Sequence, residues 1–145
     1  MAETLGSLCD KLTIVKLKLF HSEDAIKLES LKEQEGFLTN EINQFLFDAI
    51  SGIIPINKLS FVANKVYKEA GNETKQIIGE IGQIFAELAK VNCDLWHEQE
   101  KVYEFENVPI KQKNIVIKQL AVLNLSRNKC IDAIDKKLQE MVKGK

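Results

Sequence analysis

The sequence predicts an all-α fold: an antiparallel bundle of four long helices and one shorter helix, forming one domain over 1–145. Three observations carry this. Seven Gly and two Pro in 145 residues are too few for the turns of an all-β chain. The punctuation is concentrated at Ser51-Gly52 before Pro55, at Gly71-Asn72 and at Asn107-Val108-Pro109. Between those places apolar residues recur three and four apart, the spacing of one helix face.

The first helix is expected over about 2–20. Leu5, Leu8, Leu12, Val15 and Leu19 form its seam, and Ile14, Leu17 and Phe20 give it a second apolar side. Ser22, followed by Glu23 and Asp24, reads as the cap of a second helix over about 23–51, with a bend at Gly36. Its seam is Leu28, Leu31, Leu38, Ile42 and Phe45, and Phe45-Leu46-Phe47 with Ile50 add further apolar surface. A shorter helix follows Pro55, over about 57–70, closed by Gly71. Asn72 caps a fourth over about 73–105, along Ile77, Ile81, Ile84, Leu88, Val91 and Leu95. Pro109 opens the last, over about 109–142, along Ile117, Leu120, Ile131, Ile134, Leu138 and Met141.

A shift of 76 positions lays the first seam on Ile81, Ile84, Leu88, Val91 and Leu95, and Leu19-Phe20-His21 on Leu95-Trp96-His97. At a shift of 84, Asn40 and Asp48-Ala49-Ile50 fall on Asn124 and Asp132-Ala133-Ile134. Two explanations stand side by side. One is duplication of a helical hairpin; the other is the match any two amphipathic helices give.

A net charge of −1 removes any whole-protein case for nucleic acid or anionic lipid. Residues 108–145 carry nine basic and three acidic groups, while 73–106 carry three and eight, so mutual neutralisation of neighbouring helices is expected. No apolar run is long enough for a membrane span, and Met1-Ala2-Glu3-Thr4 does not read as a signal peptide. Cys9, Cys93 and Cys130 are odd in number and far apart, which suits buried thiols in a reducing cytoplasm.

The stretch from Gly6 to Lys18, Gly-Ser-Leu-Cys-Asp-Lys-Leu-Thr-Ile-Val-Lys-Leu-Lys, resembles the opening helix of a group of small uncharacterised bacterial helical proteins. Leu88-Ala89-Lys90-Val91-Asn92-Cys93-Asp94-Leu95-Trp96 is similar to that group's second motif, and Leu123-Asn124-Leu125-Ser126-Arg127 to its third. The motifs occur in the same order, although 44–80 has no counterpart. The resemblance implies a setting near sugar-transfer and cell-surface polysaccharide genes and names no reaction.

Two sets of residues are candidates for chemistry. His21 with Asp24 and His97 with Glu100 are His-x-x-acid pairs, each on one helix face. Facing one another, they could hold a divalent metal, as in a hydrolase of the all-α nucleotide-pyrophosphatase kind. The local reading, helix-end histidines making hydrogen bonds, needs no metal. Cys93, one turn before His97, reads as filler. Asn124 and Arg127 occupy slots where the last seam expects apolar residues, and a charge there must be paired. An acid such as Asp94 or Glu87 would be the structural partner of Arg127, and an anionic ligand the functional one. Trp96 joins them as a candidate binding residue, most cheaply read as core or interface. Gly-rich phosphate loops, Gly-x-Ser-x-Gly elbows, Cys-x-x-Cys and His-Glu-x-x-His do not occur. The expectation is a non-catalytic helical binding or scaffolding protein without cofactor. Its second apolar faces predict a homodimer or a protein partner.

Overall fold

The computed structural model describes residues 3–61, 74 and 76–144. Among them the structure is all-helical, with no strand: α1 (Leu5–His21), α2 (Ala25–Ile50), α3 (Ile81–Tyr103) and α4 (Ile110–Lys143). Two short 3-10 turns, Ile56–Lys58 and Phe105–Asn107, lie between them. No described helix is long and apolar enough to cross a membrane.

Local chemistry sets the ends. Thr4 caps α1 through a reciprocal pair with Ser7: Ser7 N–H donates to Thr4 Oγ1 at 3.3 Å, and Thr4 N–H to Ser7 Oγ at 2.9 Å. Ser22, expected to start the second helix, instead ends the first, its N–H donating to Lys18 O at 2.9 Å. Asp24 caps α2, because its carboxylate is the stronger acceptor and Oδ1 takes the amides of Ile26 and Lys27 at 2.9 and 3.2 Å. Helix α2 continues unbroken through Gly36. The helix expected from about 73 begins only at Ile81. Gly79 sits at φ +114, a region closed to ordinary side chains, and breaks the run before Glu80 can cap it. Pro109 stands one residue before α4, close to its expected place. The shorter helix expected over 57–70 lies mostly outside the described residues, as do its Gly71 stop and the Asn72 cap. Residues 57–58 belong to a 3-10 turn, and Leu59 after it is fully buried in the core.

Contacts between named residues give the directions. Gly6 meets Asp135 and Asp10 meets Arg127, so α1 and α4 are antiparallel. Asn92 lies against Asp10 and Thr13, and Trp96 against His21, so α1 and α3 run parallel, side by side. The α1–α2 and α3–α4 hairpins therefore pack with α1 at the centre, touching all three other long helices. The core gathers Leu5, Leu8 and Cys9 of α1 with Phe45 and Ala49 of α2, Ile84 and Leu88 of α3, and Cys130, Ile131 and Ile134 of α4. Burial of the Cys9 and Cys130 thiols pushes each up to about 11, so both stay protonated and unreactive near neutral pH.

The last seam holds at Ile131, Ile134 and Leu138, which are buried, while its ends Ile117 and Met141 are exposed; upstream the buried line runs instead through Val116, Leu123 and Cys130, with Arg127 on it. Asn124 is exposed as well, since it follows Leu123 directly and turns away from that line. Of the second apolar faces, Phe45 is absorbed into the core, Ile14, Leu17 and Leu46 are half-buried, and Phe20 stays 84% exposed.

Candidate functional site

Gly6, Asp10 and Thr13 recur four and three apart, so one face of α1 carries all three toward α3 and α4. Asp10 is buried and accepts from Arg127 at both oxygens: Nε to Oδ1 at 2.9 Å and the terminal amine to Oδ2 at 2.6 Å. Asn92 Nδ2 donates to Asp10 Oδ1 at 2.9 Å and to Thr13 Oγ1 at 2.7 Å. Thr13 Oγ1 in turn donates to the carbonyl of Asp10 at 2.8 Å. The hydrogen bond to Asp10 raises the Arg127 guanidinium above its ordinary range, with burial opposing. One turn along, buried Asp135 accepts the Gly6 amide at 2.7 Å, and a Cβ at Gly6 would fall 2.3 Å from the Ile131 carbonyl oxygen.

Arg127 is therefore paired, but with Asp10 of α1 instead of an acid on the preceding helix. Asp94 pairs with Lys90 on its own helix at 3.1 Å. The reason is geometric: α1 lies against both α3 and α4, and its Asp10 points between them. The carboxylate is thus held bidentately by the guanidinium, with an amide as second donor to Oδ1. It can hold three helices in register.

The other sequence candidates gather where α1 and α3 end. The His21 ring stacks on Trp96 with centroids 4.7 Å apart and planes 17° apart, and His97 stands edge-on to His21 at 6.2 Å. The two histidines thus come together, as a metal pair requires. Their partners do not follow. His21 Nδ1 lies 2.8 Å from the Leu17 carbonyl, so that nitrogen carries its proton. The Asp24 carboxylate accepts the first amides of α2, and Glu100 pairs with His97 Nδ1 at 3.2 Å on one helix. Among the described residues no group of three or more His, Cys, Asp or Glu side chains converges as metal ligands would.

Beside the stack lies a cleft of about 380 Å³, lined by Lys18, His21, Ser22, Lys27, Ser30, Leu31, Gln34 and Trp96. A neighbouring cleft further along α1 holds Lys16 against Glu35, whose Oε2 is shielded from water and lies 2.8 Å from Lys16 Nζ. That contact is an ion pair without the alignment of a hydrogen bond.

Sequence reasoning missed Asp10, Thr13, Asn92, Asp135 and the close approach at Gly6. A signal was present: Asp10 and Thr13 stand beside the small residues Gly6 and Cys9, on a face too polar for a core and too small-sided for solvent. No family model, curated protein or solved structure matches the chain in comparisons with all three.

Proposed function

We propose that the chain is a non-catalytic helical binding and scaffolding protein. The observation that carries this is the closed cluster of Asp10, Arg127, Asn92 and Thr13: its buried ionic and polar groups are satisfied within the protein and serve to fix helices. Residues of all three motifs that resemble the bacterial helical group meet in this cluster, namely Asp10 and Thr13, Asn92, and Arg127. That convergence supports membership of the group, and with it a cytoplasmic role beside cell-surface polysaccharide synthesis. The parallel pairing of α1 with α3, with His21 against Trp96, supports descent from a duplicated hairpin.

A direct assay separates this reading from the metal-dependent hydrolase. Purified protein is incubated with nucleoside triphosphates and Mg²⁺ or Mn²⁺, and its melting temperature is taken with and without EDTA. The expected result is no phosphate or pyrophosphate release and no change in melting temperature, since no bound metal stabilises the native state. Turnover that disappears in His97→Ala, together with a drop of several degrees in EDTA, would replace the reading with the hydrolase.

The reading includes self-association. Ile50 and Met141, 51% and 57% exposed, line an apolar groove of about 560 Å³ at the end of the bundle opposite the His21–Trp96 stack. Phe47, 62% exposed, adds apolar surface on α2. Sedimentation equilibrium at micromolar concentration should give a dimer that Ile50→Glu weakens. A monomer at all concentrations would remove this part of the reading.

A further inference from the structure

We propose that the cleft beside the His21–Trp96 stack is a binding site for a phosphomonoester carried on a hydroxylated ring the size of a monosaccharide. The inference rests on the binding reading above and specifies its ligand. The charged groups lining the cleft, Lys18 from the end of α1 and Lys27 from the start of α2, are both cations. Neither is paired with a carboxylate among the described residues. The acids of the α1–α2 link, Glu23 and Asp24, do not line the cleft, and Asp24 is occupied by the first amides of α2.

Two ammonium groups on facing elements match a dianion, and a phosphomonoester carries about −1.5 to −2 near neutral pH. Ser30 and Gln34, one turn apart on α2, offer donors and acceptors to ring hydroxyls. His21 adds a further polar atom: with Nδ1 held by Leu17 O, Nε2 is the ring nitrogen left to bond a hydroxyl. The flat His21–Trp96 stack supplies an apolar wall for the face of a ring. At about 380 Å³ the cleft sits near the lower end of ordinary ligand pockets, suited to a sugar phosphate and short for a dinucleotide.

Trp96 is the only tryptophan in the chain, so its emission reports on this wall alone. The test titrates the full chain with glucose 6-phosphate, glucose and inorganic phosphate in parallel, read by Trp96 fluorescence and by calorimetry. Glucose 6-phosphate should give saturable changes in both, with glucose and inorganic phosphate each at least tenfold weaker. Lys27→Gln should weaken glucose 6-phosphate about tenfold, and Lys18→Gln with Lys27→Gln further, as loss of charge-assisted hydrogen bonds requires. Both lysines are exposed, so neither variant disturbs the core. Equal affinity for inorganic phosphate, or no saturable response to the sugar phosphate, would overturn the proposal. So would binding that the double variant leaves unchanged. Such failure leaves the non-catalytic reading standing, because that reading fails only by turnover in the metal assay.

Discussion

Gly6→Ala should lower the melting temperature by roughly 5–15 °C, the largest effect expected of a single added methyl group at the described glycines. An alanine Cβ there would sit 2.3 Å from the Ile131 carbonyl oxygen and 2.9 Å from Asp135 Oδ1. The first of these is backbone inside α4, which cannot swing aside as a flexible side chain can. Helices α1 and α4 must separate, which also lengthens the 2.7 Å hydrogen bond from the Gly6 amide to Asp135. Overpacking of about 1–3 kcal/mol and the weakening of a charge-assisted hydrogen bond worth up to about 1.5–3 kcal/mol together outweigh the ~1 kcal/mol that alanine gains over glycine inside a helix. Gly36 is the control. Nothing lies within 4 Å of a Cβ built there, so Gly36→Ala should stabilise by about 0.5–1 kcal/mol. Thermal melts of both variants check the pair, and a Gly6→Ala protein that melts like the parent would refute the close approach.

Arg127→Met is the second large effect. Methionine keeps length and apolar bulk on the α4 seam but leaves Asp10 as a buried carboxylate held only by Asn92 among its side-chain donors. Breaking a fully buried pair costs about 3–5 kcal/mol. The Arg127 side chain is 32% exposed against 6% for Asp10, so solvent screens part of the pair and about 2–3 kcal/mol is expected. Removing both charges should restore much of the loss: Asp10→Ala with Arg127→Met should be less damaging than the sum of the single variants by about 1–3 kcal/mol. Urea unfolding of the four proteins measures this coupling. A strictly additive cycle would mean that the two side chains stabilise the fold independently.

The position of Arg127 was legible in the sequence because a guanidinium on an apolar seam is conspicuous. Its partner was not legible. Periodicity assigns residues to faces within a helix, whereas the neighbour of each face depends on how the helices are arranged. Asp94 and Glu87 are acids of the preceding helix, the neighbour that chain order suggests, and the packing of α1 against both α3 and α4 put Asp10 closer. Gly6 was hidden for a related reason: a helical glycine reads as a propensity loss until a second backbone is seen against it. The start of α2 depended on which of two capping residues two positions apart, Ser22 or Asp24, wins, and a carboxylate prevails where amides are free. The start of α3 depended on the backbone of Gly79, which apolar spacing does not register. His21 and His97 do come together, the arrangement the metal reading needs. Their nearest acids are taken up by a helix cap and by a pair within one helix.

The bonds around Asp10 and Gly6 span 82, 117 and 129 residues of chain. The contacts inside each hairpin, by contrast, join helices that follow one another in the chain, so those contacts close with far less loss of chain freedom. Each hairpin can thus assemble before the long-range bonds exist, and those bonds form when one docks on the other. Interactions made that late act mainly on the rate of escape from the native state. The Asp10 and Gly6 contacts accordingly set the lifetime of the folded protein more than the speed at which it is reached.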